Sequence, residues 1–253
     1  MSHVHLSRVN RGWVLRSHDH LSAHDVDAAV HTVRSSGGGS VRWFVFEPTD
    51  AEIASAERHG LRADAPLLHM RCSLPLAADH RVAEGFVTRP FRPGVDNAAW
   101  LEVNARAFAD HPEQGDWNEE VLVEQLAAPW FDAHGFLLHE REGSIAGFCW
   151  TQVHDHTVTR DHTVAHDHGR SDAHDHTHTA PVGEIYVIGV DPAFHGRGIG
   201  RSLTIAGFAH LAHRGLRQGM LYVAGDNTPA IALYESLGMT VVRRDHVFVG
   251  TIS

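Results

Sequence analysis

Residues 183–201 decide the fold, and they read GEIYVIGVDPAFHGRGIGR. The first half of this stretch is rich in β-branched and aromatic residues, as buried strands are, and Asp191 begins the turn that ends it. Glycines follow at Gly196, Gly198 and Gly200, and an apolar helical pattern starts directly after them. A helix that begins at such a loop presents unpaired backbone N–H groups, which together with the helix dipole favour a pyrophosphate. The stretch therefore predicts a phosphate-binding turn between a strand and a helix.

Hydrophobic periodicity on both sides of this stretch predicts alternating helices and strands. For residues 1–80 it predicts helices at 22–34 and 50–59, capped by Ser22 and Thr49, and strands at 41–46 and 67–74. For residues 81–253 it predicts strands at 86–88, 136–140, 145–153, 184–190, 220–224 and 239–249, and helices at 96–108, 118–126, 198–214 and 228–237. We therefore expect an α/β protein with a small part at residues 1–80 and a larger domain at 81–253.

Composition excludes several classes of protein. Lys plus Arg number 21 against 31 Asp plus Glu, so the net charge of −10 has the wrong sign for binding nucleic acid by bulk electrostatics. No apolar run is long enough for a membrane span, and the first residues lack the pattern of a secretory signal. Cys72 and Cys149 are the only cysteines, which fits a reducing compartment. We expect a cytoplasmic protein, with no nucleic-acid or membrane partner, and assume a monomer.

Histidine is unusually abundant, with 24 residues in the chain. Eight of them lie between His154 and His178, in a low-complexity segment of His-Asp-His and Asp-His-Thr triplets. Because this segment has almost no large apolar residue, we expect residues 155–180 to form a disordered, mobile surface loop. Interleaved imidazoles and carboxylates can bind zinc, nickel or copper, so a metal-binding tract and an expansion without function both remain open.

Two further patterns resemble the GNAT acetyltransferase superfamily. Residues 195–200, HGRGIG, are similar to its acetyl-CoA signature Arg/Gln-x-x-Gly-x-Gly/Ala, with His195 in place of the usual Arg or Gln. Residues 226–239, DNTPAIALYESLGM, resemble its second signature. The resemblance implies a mixed, mostly antiparallel sheet flanked by helices, acetyl-CoA as co-substrate and no required metal. It implies that acetyl-CoA is bound by Ile188, Gly189, Val190, His195, Gly196, Arg197, Gly198, Ile199, Gly200, Arg201, Asn227 and Ala230.

A narrower resemblance is to mycothiol synthases, tandem GNAT enzymes that acetylate the cysteinyl amine of the mycothiol precursor. It rests on AFADHPEQG at 107–115, WFD at 130–132, GFCWTQVH at 147–154 and GEIYVIGVDP at 183–192. Gln152 stands where that family has a substrate-binding lysine. Residues 1–80 resemble only the back half of a GNAT module, without its early strands or a phosphate loop. This leaves open a pocket of different specificity, completion of the site by another chain, and a truncated gene model.

The same resemblance implies roles for individual side chains. Glu184 is implied as the general base for the amine, and Tyr234 as the acid that protonates the leaving thiolate. Backbone N–H groups around Ile188 would stabilise negative charge on the thioester oxygen. The substrate-binding residues implied are Glu113, Gln152, Glu184 and Tyr222. A purely structural role remains open for three of these residues. Glu184 could be a paired strand carboxylate, Tyr234 a core residue and Glu113 a solvated loop residue.

The function expected from these patterns is acetylation of desacetylmycothiol to mycothiol, with a small-molecule thiol and amine as acceptor. Two alternatives stay open. One is a GNAT N-acetyltransferase acting on another small amine or amino sugar, which Gln152 and the short N-terminal part favour. The other is a metal-binding protein on a GNAT scaffold, which only the histidine tract favours.

Overall fold

A computed structural model describes residues 4–9, 12–17, 20–109, 114–115, 117–154 and 180–253. The described chain divides into two compact units. The first comprises Met1–Met70, Tyr222–Ala232 and Val241–Ser253, and the second comprises Arg71–Leu221 and Leu233–Thr240. The domain boundary expected near residue 80 stays a prediction.

The first unit is a sheet with two helices. Its elements are β1 (Val4–Val9), β2 (Gly12–Ser17), α1 (Ala23–Ser35), β3 (Gly39–Phe46), α2 (Asp50–Arg58), most of β4 (Arg62–Ser73) and most of β10 (Thr240–Ile252). The strand order is β1-β2-β3-β10-β4, with β2 parallel to β3 and antiparallel pairing of β1 with β2 and of β3 with β10. The apolar faces of the helices pack on a core that contains Trp13, Trp43 and Phe248.

Both helices of the first unit begin at the predicted caps. Ser22 accepts a hydrogen bond from the Asp25 N–H, and Thr49 accepts one from the Glu52 N–H; each pair forms a reciprocal capping box. Glu52 is buried and also accepts from the Leu21 N–H at 2.8 Å. One carboxylate therefore both starts α2 and anchors the segment that leads into α1.

The second unit has a second set of strands with helices around it. Its elements are β5 (Arg89–Pro90), α3 (Asn97–Ala107), α4 (Glu119–Leu126), β6 (Phe136–Arg141), β7 (Ser144–His154), β8 (Val182–Val190), α5 (Ile199–His213), the first part of β9 (Gln218–Ala224) and the last part of α6 (Thr228–Glu235). The strand order is β9-β8-β7-β6-β5. Its pairs are antiparallel except for β8 with β9, which is parallel.

An aromatic cluster fills the core of the second unit. Trp100 and Trp150 are fully buried, and their ring centroids lie 6.1 Å apart in an edge-to-face arrangement. Phe136 stacks on Trp150 at 4.3 Å. Edge-to-face and offset contacts of this kind add to the stabilisation from burial, so the cluster holds α3 firmly on β6 and β7.

The predicted order of strands and helices for residues 85–253 is confirmed, but two details of the sequence interpretation are wrong. The strand expected at 86–88 lies instead at Arg89–Pro90. The backbone carbonyl of Val87 accepts a hydrogen bond from the His139 ring at 2.7 Å, and the Phe86 ring stacks on His139. The Val87 carbonyl therefore bonds to a side chain and not to a neighbouring strand.

The second error concerns the N terminus, where early strands were not expected. β1 and β2 are present and form a hairpin. Trp13 and Leu15 are buried in the core of the first unit, and Leu6 packs against it. Their alternate spacing is the strand signal that the sequence interpretation missed.

Among the described residues, no helix is both long enough and apolar enough to cross a membrane.

Asp96 organises the start of α3. Its buried carboxylate accepts hydrogen bonds from the guanidinium groups of Arg89 and Arg92 and from the Arg92 backbone N–H. Burial alone would raise the pKa of Asp96, but the bonds from Arg92 and Arg89 outweigh it and hold the pKa well below its ordinary value. Arg89 also contacts Glu140, so the same network ties β5 to β6.

We expect Asp96→Asn to lower the free energy of unfolding by about 2 kcal/mol at pH 7, because a charged hub with several hydrogen bonds is replaced by a neutral amide. The folded pKa is depressed, so this stabilisation is present above about pH 4 and is lost as the pH falls through the folded pKa. Urea denaturation of the parent and the variant, at pH 7 and again below about pH 4, measures this difference in the free energy of unfolding. Equal stability of the two proteins at pH 7 would show that the network contributes nothing.

Candidate active site

The pairing of β8 changes at Glu184. Parallel pairing with β9 joins Gly183 to Gly219 and Glu184 to Met220, whereas β8 itself continues to Val190. On its other edge β8 remains paired with β7 as far as Val190. The backbone N–H and C=O groups that face β9 beyond Glu184 are therefore left without that strand as partner, and a ligand could use them.

A β-bulge lies directly beside this point. Trp150 pairs with Val187 and Thr151 with Ile185, so Tyr186 is an extra residue on β8. The Tyr186 ring fits edge-on between Trp130 and Trp150. The bulge thus separates the aromatic core from the polar end of the strand pair.

Three polar side chains meet at that polar end. Gln152 lies directly opposite Glu184 in the register of β7 and β8. His154, two residues further along β7, has its Nε2 atom 2.6 Å from Glu184 Oε2. Residue Glu184 is 8% exposed. The structure therefore brings together the predicted base, the predicted substrate residue Gln152 and a histidine that the sequence interpretation had assigned to the low-complexity segment.

The glycine loop leads into α5 as predicted. Gly198 caps the helix with left-handed backbone at φ 73°, and Ser202 N–H makes the first helical hydrogen bond to the Gly198 carbonyl. The N–H groups of Ile199, Gly200 and Arg201 precede that bond and have no acceptor within the helix. This is the arrangement that binds a pyrophosphate group.

The charged residues of the loop have defined neighbours. His195 Nε2 lies 3.0 Å from the Val190 carbonyl oxygen, so this ring closes the loop onto the end of β8. The Arg197 guanidinium lies over the Phe194 ring. Arg201 donates to Ser236 Oγ at 2.8 Å. His195 thus occupies the carbonyl of Val190, and the N–H groups of the loop remain as the main donors for a phosphate.

Close packing brings the middle of α5 against β7. At Gly207, a Cβ atom would lie 2.6 Å from Cys149 Sγ on β7, which is too close for any side chain. The helix therefore approaches the sheet more closely here than a larger residue would allow. Cys149 is fully buried, and burial raises the pKa of its thiol well above the ordinary value. Cys149 is a packing residue, because a thiol that stays protonated is a poor nucleophile.

Tyr234 lies near the end of α6 and is buried at 7% exposure. Burial, with a smaller effect of the Cys149 thiol, raises the pKa of its phenol well above the ordinary value. The phenol therefore stays protonated at neutral pH. A group in this state cannot serve as a base, and the acid role implied for it stays a prediction.

A family model described as acetyltransferase (GNAT) family matches residues 99–239, which is more than half of the chain. The chain belongs to the GNAT acetyltransferase family. The matched residues include β6 to β9 and the loop before α5. The open edge of β8 and the glycine turn therefore both lie within the part of the chain that matches the family.

Curated relatives of this GNAT chain are named mycothiol acetyltransferase. The protein from Thermobispora bispora is 45% identical over 210 residues, covering 82% of this chain and 65% of the relative. The one from Catenulispora acidiphila is 49% identical over 218 residues, covering 85% and 63%. The chain thus spans a little less than two thirds of the length of these relatives.

A solved GCN5-related N-acetyltransferase from Sphaerobacter thermophilus has the same fold. It matches 99% of this chain and 76% of its own with a TM-score of 0.71, at 21% sequence identity. The GNAT fold class expected from the sequence is confirmed.

The remaining predicted site residues of this GNAT chain lie in the first unit. Tyr222 stacks on the buried ring of His69 with centroids 4.7 Å apart. Asn227 precedes α6, and its side-chain oxygen accepts from the Ala230 N–H at 3.2 Å. Asn227 therefore caps the helix on which the family signature continues.

Two predictions fall outside the described residues of this GNAT chain. Glu113 lies there, and so does almost all of the histidine tract expected to form a loop at 155–180. Within the described residues, no group of three or more His, Cys, Asp or Glu side chains is arranged to hold a metal ion. The metal-binding alternative for the tract stays a prediction.

Gly198→Ala is expected to weaken acetyl-CoA binding about tenfold, because a Cβ atom at φ 73° strains the loop whose N–H groups face the phosphates. Gly215→Ala is the matched control. Gly215 has a φ of 87° at the other end of α5, and at both glycines an added Cβ would meet no atom within 4 Å.

Both variants should lose about 1 kcal/mol of stability, since both place alanine in left-handed backbone. Calorimetric titration with acetyl-CoA separates them, because only Gly198→Ala should bind more weakly. An equal loss of affinity in the two variants would contradict a phosphate site at this loop.

Proposed function

We propose that the chain is an N-acetyltransferase that transfers the acetyl group of acetyl-CoA to the cysteinyl amine of desacetylmycothiol. The observation that carries the proposal is the position of Glu184, a buried carboxylate at the last paired residue of β8 before that strand leaves β9. The names and the 45–49% identity of the curated relatives support the choice of acceptor.

The residues present fit acetyl-CoA as co-substrate. The first N–H groups of α5 have no acceptor within the helix and suit the pyrophosphate, and the unpaired edge of β8 suits the amide groups of the pantetheine arm. When bound, acetyl-CoA supplies the activated acetyl group. The binding residues proposed are Ile188, Gly189, Val190, His195, Gly196, Arg197, Gly198, Ile199, Gly200, Arg201, Asn227 and Ala230.

Glu184 would make the acceptor amine reactive. An α-amine has a pKa of about 8 and is largely protonated at neutral pH, so a proton must leave before the nitrogen can attack. The Glu184 carboxylate accepts that proton, and its burial keeps bulk water from competing for it.

Tyr234 would complete the proton balance by donating its phenolic proton to the departing thiolate of CoA. Its raised pKa keeps the phenol protonated at neutral pH. Backbone N–H groups near Ile188 would stabilise the charge on the thioester oxygen during attack. The acetyl group passes directly to the amine, with no covalent bond to the chain.

Glu113, Gln152 and Tyr222 are proposed to bind the acceptor. Gln152 lies opposite Glu184 and can donate a hydrogen bond from its amide to a sugar hydroxyl or a substrate carbonyl. The reaction would take place in the reducing cytoplasm, where a thiol acceptor and the unpaired Cys72 and Cys149 stay reduced.

The test of the proposed acceptor is acetyl-CoA-dependent turnover of the cysteinyl-glucosaminyl-inositol precursor beside a panel of simple amines and amino sugars. Thiol release and the mass of the product are measured together. Preferential turnover of the precursor is expected. Preferential turnover of another amine would replace the acceptor but keep the enzyme class. A protein that binds no acetyl-CoA would exclude the class.

Glu184→Gln is expected to lower kcat by about 100- to 1000-fold between about pH 6 and 9, because the amide cannot accept the amine proton. Acetyl-CoA affinity should stay unchanged, since the side chain lies on the acceptor side. Glu120→Gln, an exposed glutamate on α4, is the control and should keep full activity. Unchanged turnover in Glu184→Gln across this range would refute the base assignment.

A further inference from the structure

The Glu184 carboxylate is held by one particular side chain. His154 Nε2 and Glu184 Oε2 are 2.6 Å apart, the distance of a short, charge-assisted hydrogen bond. The side chains are 23% and 11% exposed, respectively. The contact is therefore shielded at the carboxylate and open toward solvent at the imidazole.

Strand register explains why these two residues meet. Gln152 pairs with Glu184 and His154 pairs with Val182, so His154 is the diagonal neighbour of Glu184 across the strand pair. Residues 152 and 154 point to the same face of β7, because side chains alternate along a strand. Diagonal neighbours are within reach of long or aromatic side chains, and imidazole is long enough.

We propose that His154 is a positioning residue that fixes the Glu184 carboxylate for proton transfer. The proposal rests on the proposed function, in which Glu184 is the base. His154 would donate its Nε2–H to Oε2, which leaves Oε1 to accept the proton of the substrate amine. The proton moves from the amine nitrogen to Glu184, and His154 neither gains nor loses one in this step.

A fixed carboxylate matters because proton transfer depends on heavy-atom distance. A free glutamate side chain rotates about its χ angles, and a displacement of about 1 Å at a reacting group can lower a rate about 100-fold. The β8 backbone fixes only the Cα position of Glu184. The hydrogen bond from His154 adds the constraint at the other end of the side chain.

This role separates His154 from the other histidines of its tract. His154 is the last residue of β7 and lies within the strand register, whereas residues 155–179 fall outside the described part of the chain. At position 154 of β7, the histidine side chain has a defined partner, the Glu184 carboxylate. His154 therefore belongs with the active site, although in sequence it begins the low-complexity segment.

The experiment compares His154→Ala, His154→Gln and the control His246→Ala in the full chain, with acetyl-CoA and the cysteinyl-glucosaminyl-inositol precursor as substrates. Glutamine keeps an N–H donor at about the reach of Nε2 but cannot titrate. His246 is an exposed histidine on β10. We expect His154→Ala to lower kcat by about 10- to 100-fold with the acetyl-CoA KM within about twofold, and His154→Gln to recover kcat to within about threefold of the parent. His246→Ala should match the parent.

Each other outcome has a distinct meaning. If the parent turns over the precursor and His154→Ala has the same kcat, the positioning role is wrong while the proposed function stands. If folded His154→Gln is as slow as His154→Ala, donation of a hydrogen bond is not what His154 contributes, and the proposal is overturned. If His154→Ala does not fold, the decision falls to His154→Gln, in which kcat near that of the parent is the required result. A parent protein without turnover of any amine refutes the proposed function itself.

Discussion

The end of pairing between β8 and β9 after Glu184 is the constraint on which the rest of the site depends. A strand that loses its neighbour in mid-sheet exposes a row of backbone donors and acceptors, and such groups are costly to bury without partners. The chain satisfies the other edge of β8 with β7 over its full length. A ligand that carries its own amide groups, such as the pantetheine arm of the proposed acetyl-CoA, would complete the open edge, so the gap in the sheet and the proposed co-substrate are connected through one feature.

Packing also places α5, with the proposed phosphate site at its start, against the sheet. The contact between Gly207 and Cys149 brings α5 close to β7, and the glycine turn delivers the helix N terminus just beyond Val190. The N–H groups of the first turn and the open edge of β8 are therefore consecutive along one path in the second unit. Because both depend on backbone rather than on side chains, the replacement of the usual Arg or Gln by His195 leaves the main donors in place.

Sequence patterns predicted the parts of the fold that depend on periodicity and turn chemistry. The helix caps at Ser22 and Thr49 and the glycine turn before α5 are local features, and local sequence determines them. The strand at 86–88 was placed wrongly because its backbone is satisfied by His139, a residue more than fifty positions away. The contact between His154 and Glu184 could not be predicted from the sequence either, because it depends on the register of β7 and β8 across the long insertion between them. The composition of that insertion grouped His154 with the low-complexity histidine segment, whereas pairing places it in the strand.

The neutral Gln152 changes the electrostatics around Glu184, the proposed proton acceptor. A lysine at this position, directly across from Glu184, could form an ion pair with the carboxylate, stabilise its charged form and lower its basicity. An amide can donate hydrogen bonds but carries no charge, so it competes less with the substrate ammonium for Glu184. The side chain that does contact the carboxylate is His154, whose Nε2 atom lies 2.6 Å from Glu184 Oε2. Because position 152 carries no positive charge, it does not compete for Glu184 with the acceptor, an α-amine that is largely protonated at neutral pH.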